Sequence, residues 1–167
     1  IHVWPIGSDQ AVLRQIAAHY REQKYNFIAF LDGDKRTNKT NEILKIKKYL
    51  ETRYYHSESK FDSLIEKRIQ YLPGKEWPER EIISALYSSC TSKTLSYLEN
   101  VWGENHDDLC ENLEQCLASN KHSEFYDLSR KVSIPKEQVR MDAIRQYKEI
   151  RPTEVKEVQM ALSVLLD

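Results

Sequence analysis

Asn26-Phe27-Ile28-Ala29-Phe30-Leu31-Asp32-Gly33-Asp34-Lys35-Arg36 is the stretch on which the fold turns. Its unbroken apolar run, bounded by turn-forming residues, predicts a strand over residues 27–31 that is buried on both faces, as in a parallel sheet. Side chains alternate along an extended chain, so Asp32 and Asp34 are expected to project to one side, while Gly33 lets the backbone bend or be approached closely. Two hard oxygen ligands at the end of a buried strand suit Mg²⁺ or Mn²⁺, which keep several waters and take phosphate oxygens as further ligands. Asp and Gly are also ordinary turn residues, and the motif alone does not choose between the two readings. Lys35 and Arg36 either meet a polyanion or sit in solvent against the two acids.

Working outward, residues 2–6 read as a strand already in progress. Gly7 and Ser8 supply a turn and an N-cap, and Val12, Leu13, Ile16, Ala17 and Tyr20 then recur at helical spacing, predicting a helix over residues 9–23. Strand, helix, strand implies a right-handed crossover. Beyond the acidic pair a helical insertion is expected over about residues 37–60, with a helix at 41–53 and a loop at 54–60. Lys39, Lys45, Lys47, Lys48 and Arg53 cluster there, either as a solvated face balanced by Glu42 and Glu51 or as a phosphate-contacting surface. A second sheet element is predicted over residues 69–72, closed by Pro73-Gly74. Trp77-Pro78-Glu79 then opens a helix, with Glu79 and Glu81 in the first turn where the macrodipole favours anions. Glu79 is also a candidate to complete a metal site, because sites form at the carboxyl ends of neighbouring parallel strands. From residue 79 onward only helical stripes recur. The expected fold is therefore α/β: a small parallel sheet in a domain over residues 1–90, followed by an all-helical extension over 91–167.

Composition narrows the function classes. The chain has 167 residues, with 25 basic and 26 acidic side chains and a net charge of −1, so a nucleic-acid or membrane partner must be met by a local surface. Cys90, Cys110 and Cys116 are odd in number and lack a CxxC pair. That argues against a disulfide framework or a zinc knuckle, and for the cytoplasm. No apolar run approaches the roughly 20 residues needed to span a bilayer, and no leader pattern opens the chain. The start at Ile1, without methionine and inside an apparent strand, suggests a segment of a longer protein. His2, His19, His56 and His106 show no ligand spacing. Most of the ten tyrosines and three tryptophans read as packing, with base stacking as the alternative. Val155, Val158, Ala161, Leu162, Val164 and Leu165 form an apolar stripe that either closes a core or docks elsewhere.

In chain order, Pro5-Ile6-Gly7-Ser8, Phe27 to Asp34, Tyr71-Leu72-Pro73-Gly74 and Trp77-Pro78-Glu79 resemble the Toprim domain. More narrowly, they resemble the Toprim region carried behind an ABC-type ATPase in the OLD (overcoming lysogenization defect) family and related bacterial anti-phage ATPase-nucleases. The resemblance implies a partial Toprim-like sheet in which Asp32 and Asp34 hold Mg²⁺ or Mn²⁺ for phosphodiester cleavage. It also implies that the family's first-strand glutamate lies upstream of Ile1, so the isolated segment binds metal weakly and cleaves poorly. The function so implied is a metal-dependent endonuclease module of a defence ATPase-nuclease. Its partners would be nucleic acid (DNA first), the ATPase domain of the parent chain, and a second copy or a partner subunit. Lys35 is a candidate to stabilise transition-state charge, as are Lys121 and His122. The alternative is a catalytically inactive Toprim-like module that docks or senses a partner protein. Asp-Gly-Asp also occurs in nucleotide-sugar glycosyltransferases, but these place it after roughly 100 residues of nucleotide-binding fold and only thirty-one residues precede Asp32 here. Haloacid-dehalogenase-type phosphatases want Thr or Val soon after the second aspartate, where this chain has Lys35 and Arg36.

Overall fold

Ser8 starts the first described element: its hydroxyl accepts the Ala11 N–H, capping helix α1 (Asp9–Arg21). The computed structural model describes residues 8–50, 58–119 and 122–163, and the chain divides into two units, Ile1–Lys75 with Glu157–Asp167, and Glu76–Lys156. The expected strand at residues 2–6, and the crossover that depends on it, lie outside the described residues.

In the first unit α1 buries Leu13, Ile16 and Ala17. Strand β1 (Ala29–Leu31) pairs in parallel with β2 (Ile69–Tyr71), with Ala29 opposite Ile69 and Leu31 opposite Tyr71. Between them come a 3₁₀ helix (Gly33–Asn38), helix α2 (Lys39–Tyr49) and helix α3 (Glu58–Arg68). The helix expected to reach residue 53 ends at Tyr49, and residues 58–60, expected as loop, belong to α3.

The α/β expectation is corrected here. Among the described residues these two three-residue strands are the whole sheet and the rest is mostly helical, so the described residues show no Toprim-like sheet. The strands fall where the apolar runs place them, but the first is not buried on both faces as expected: residues 27–30 are half-buried and only Leu31 is fully covered. Leu31 and Ile69 are buried by Leu13 and Ile16 of α1, Ile43 and Ile46 of α2 and Phe61 and Ile65 of α3. A short apolar run demands burial but does not specify whether strands or helices provide it.

The second unit is helical throughout its described elements. Helix α4 (Pro78–Ser88) starts with Trp77 at the N-cap and Pro78 at the first position, as expected from the sequence. A 3₁₀ turn (Cys90–Ser92) leads to helices α5 (Ser96–Trp102), α6 (His106–Ala118), α7 (Glu124–Lys131) and α8 (Lys136–Ile150). Helix α4 packs on α6 and α8, and α7 packs on both of those. Ile83, Leu86, Leu98, Leu109, Leu113 and Leu128 are completely buried between them, each contributing about 1.5–3 kcal/mol of apolar burial. Gly103, at φ 71°, ends α5 in the left-handed conformation that a glycine adopts without strain.

Helix α9 (Pro152–Ser163) closes the described chain. Within the first unit its Val158 and Ala161 line a small cleft with Phe30, Gln70 and Tyr71, so part of the apolar tail stripe serves that unit. Val164 and Leu165 lie outside the described residues.

The cysteine reading is also corrected. Cys90 and Cys110 form a disulfide with their Cα atoms 5.9 Å apart, and Cys116 is a free, buried thiol. The cysteine count therefore no longer argues for a reducing compartment. Among the described residues no helix is long and apolar enough to cross a membrane.

Candidate functional site

The end of β1 is fastened to the end of β2. The Leu72 N–H donates to the Leu31 carbonyl at 2.8 Å, and the Arg36 guanidinium reaches across to donate to the Leu72 carbonyl at 3.1 Å. Gly33 sits against the opposite turn so closely that a Cβ there would lie 2.7 Å from the Gly74 oxygen. This close approach is what the glycine between the two aspartates serves.

Asp32 stands at the carboxyl end of β1, still extended at φ −61° and ψ 150°, and the Lys35 N–H donates to its carbonyl to open the 3₁₀ helix. Strand alternation therefore stops at Asp32. Asp34 projects from a 3₁₀ turn, and the same-face argument drawn from an extended chain does not carry across Gly33. Instead, a cation organises Asp34. Lys35 Nζ lies 2.5 Å from Asp34 Oδ2 and 3.5 Å from Asp9 Oδ2, bringing a carboxylate from the start of α1 to the same ammonium. Hydrogen bonding to Asp34 pushes the Lys35 pKa up; burial opposes this, and Asp9 reinforces it. The other oxygen of Asp34, Oδ1, is buried with no hydrogen-bond partner in the protein.

Lys35 also lines an open groove of about 750 Å³ beside α2, together with Asn38, Asn41, Lys45, Lys47 and Lys48. Lys45 pairs with Glu42 at 2.7 Å and Lys47 with Asp62 at 2.9 Å, while Lys48 is exposed. Glu42 is buried at 1% exposure, and its Oε2, like Asp34 Oδ1, has no hydrogen-bond partner. Two carboxylate oxygens in this region thus carry unmet acceptor capacity, which native structures rarely leave without a function or a bound group.

No protein-family model, no curated protein and no solved structure matches the chain, so the site is read from its own residues.

Of the expected site residues, Asp32, Asp34 and Lys35 lie together on one latched segment. Glu79 belongs to the second unit, in the first turn of α4, where the helix dipole accounts for an acid. His122 also belongs to the second unit: its ring packs on Trp77 with centroids 4.1 Å apart. Lys121 lies outside the described residues. Among those described, no group of three or more His, Cys, Asp or Glu side chains has the spacing to hold a metal ion. The sequence does not point to Asp9 or Glu42 as neighbours of the site: Asp9 carries only a helix-start signal, and Glu42 reads as the solvated partner of nearby lysines.

Proposed function

We propose that the first unit is the phosphodiester-hydrolysing part of a metal-dependent endonuclease, acting on nucleic acid held along the lysine groove. The observation that carries this reading is Asp34: one oxygen is held by Lys35, the other is buried and unpartnered, and Lys35 itself lines a groove with three more lysines. An anionic oxygen without a protein partner is the kind of donor that Mg²⁺ or Mn²⁺ takes, so Asp34 is the first ligand in this reading, with Asp32 from the end of β1 as the second and water or phosphate oxygens as the rest. A bound ion would supply charge neutralisation at the phosphate and a more acidic water.

The chain's own residues do the positioning. Lys45, Lys47 and Lys48 offer ammonium groups to backbone phosphates, and Lys35 holds Asp34 in place until a phosphate competes for its charge. The sequence resemblance to ATPase-linked nucleases supports the same activity, with the ATPase domain of a longer parent chain as partner and the cytoplasm as its compartment.

The test has two readouts. Mn²⁺ binding to this chain, followed by electron paramagnetic resonance, is expected to weaken at least about tenfold in Asp34→Asn, since a charged oxygen ligand is lost. In the parent chain, Mg²⁺- or Mn²⁺-dependent nicking of DNA is expected to disappear in Asp32→Asn and Asp34→Asn and to persist in Glu79→Gln. Metal binding indifferent to both aspartates sinks the proposal. A second reading, an inactive docking module, is favoured by the ion pair that already neutralises half of Asp34. A parent chain that stays inert with either metal while still binding a partner subunit supports it.

A further inference from the structure

We propose that Cys90 and Cys110 form an exchangeable disulfide, opened and closed by low-molecular-weight thiols, with Cys110 as the leaving and re-attacking sulfur beside His106. The site lies wholly in the second unit and stands independently of the nuclease reading.

Three elements meet here. Cys90 begins the 3₁₀ turn after α4, Glu99 lies on α5, and His106 and Cys110 sit one turn apart at the start of α6. His106 Nδ1 is 2.6 Å from Glu99 Oε1, and its Nε2 is 2.9 Å from the Cys90 carbonyl oxygen. Both partners are acceptors only, so both ring nitrogens must donate, and the ring that satisfies this geometry is the imidazolium. The hydrogen bond to Glu99, then that to the Cys90 carbonyl, raise the His106 pKa, with Asp107 the further acid facing it. The same Nε2 lies 3.8 Å from Cys110 Sγ.

A cation at that distance stabilises a thiolate, and the sulfur with the lower pKa is the better leaving group. Cys90 has the opposite surroundings: its sulfur faces the Leu86 carbonyl oxygen at 4.0 Å, an acceptor that favours a protonated thiol. Both cysteines are partly exposed. Cys116 is fully buried, and burial pushes its thiol up to about 11, which leaves it inert as a competitor.

The exchange balances as follows. A thiolate RS⁻ attacks Cys90 Sγ, the R–S–Sγ bond forms, the Cys90–Cys110 bond breaks, and the electron pair leaves on Cys110 as a thiolate next to His106. A second RS⁻ attacks the R sulfur of the mixed disulfide, releasing RSSR, and Cys90 takes a proton from solvent. Two thiolates are oxidised to one external disulfide, and the protein disulfide is reduced by two electrons. In reverse, the Cys110 thiolate attacks a Cys90 mixed disulfide and expels RS⁻.

The test uses the folded, oxidised chain in glutathione buffers, counting thiols by mass-shifting maleimide after a denaturing quench. Millimolar glutathione is expected to raise the count from one thiol to three. His106→Gln is expected to slow native-state reduction about tenfold at neutral pH, while leaving reduction of the urea-unfolded chain unchanged. In Cys90→Ser, iodoacetamide alkylation of Cys110 should show a pH midpoint below the ordinary thiol value of ~8.5, moving back toward it when His106→Gln is added. A bridge that opens only in urea overturns the proposal. So does a Cys110 midpoint no lower than that of Cys90 measured in Cys110→Ser.

Discussion

Glu124 is fully buried, yet it is a carboxylate whose surroundings account for it completely. The Trp77 indole N–H reaches both oxygens at 3.1 Å, and the Arg80 guanidinium stands 3.6 Å from Oε1. Arg80 also donates to the Leu117 and Ser119 carbonyls at 3.0 and 2.9 Å, satisfying acceptors left open at the end of α6. Removing one partner of such a pair strands a buried charge, whereas replacing both with apolar groups is close to neutral. Arg80→Met is therefore expected to cost about 3–5 kcal/mol in urea unfolding, and the double change Arg80→Met with Glu124→Leu is expected to recover most of it. A single-variant loss below about 1 kcal/mol would show that the pair is solvated rather than buried. The Asp34–Lys35 pair lies at the other extreme. Its side chains are 33% and 30% exposed, so solvent screens it and Asp34→Asn should leave folding nearly untouched. Loss of metal binding in that variant then reports on the ligand and not on the fold.

At the scale of elements, the junction of β1 with the 3₁₀ helix has little slack. A Cβ on Gly33 would meet the Gly74 oxygen at 2.7 Å, the Gly74 carbonyl carbon at 3.0 Å and the Leu72 oxygen at 3.1 Å, all of them backbone atoms that cannot swing aside. Gly33→Ala is expected to cost about 1–3 kcal/mol through forced separation of the two strand ends. At Gly103 a Cβ meets nothing within 4 Å and only the positive φ resists, so Gly103→Ala should cost about 1 kcal/mol. Equal losses in urea midpoint for the two variants would count against the close approach. The elements that were legible in sequence are those with local signals. Ser8 capping α1, Trp77-Pro78 opening α4 and the recurring leucines of α6 depend on neighbours within a turn or two. The two strands were legible too: β1 and β2 fall inside the apolar runs at 27–31 and 69–72 and pair in parallel. The size of the sheet was not, because a short apolar run states that it needs cover and not what provides it, and α1, α2 and α3 pack over Leu31. The same holds at the candidate site. Asp32, Asp34 and Lys35 lie within one four-residue stretch, so the sequence alone brings them together as candidates. Asp9 and Glu42 arrive through packing of α1 and α2, and the Cys90–Cys110 pairing through the turn at Gly103 that brings α6 back; none of these leaves a periodic trace.

Taken over the whole molecule, a net charge of −1 gives no long-range field to draw in a polyanion, so any nucleic-acid affinity must come from charges concentrated in one place. The groove beside α2 is such a place, with Lys35, Lys45, Lys47 and Lys48 around one open volume. Each phosphate that a lysine neutralises releases condensed counterion, giving a slope of about −0.9 per contact in log affinity against log salt on duplex DNA. Full engagement of the four lysines therefore predicts a slope of about −3 to −4 between 50 and 200 mM salt. Lys45 and Lys47 are held by Glu42 and Asp62, and binding has to loosen those pairs, which makes exposed Lys48 the first contact. The double charge reversal Lys45→Glu with Lys48→Glu is expected to flatten the slope by about 2 and to weaken binding more than about tenfold at the lower salt. Fluorescence anisotropy of a labelled duplex reads both quantities. An affinity that is independent of salt, or a slope unchanged by the double reversal, would move the nucleic acid off this groove and leave its lysines as the solvated face that the acidic neighbours balance.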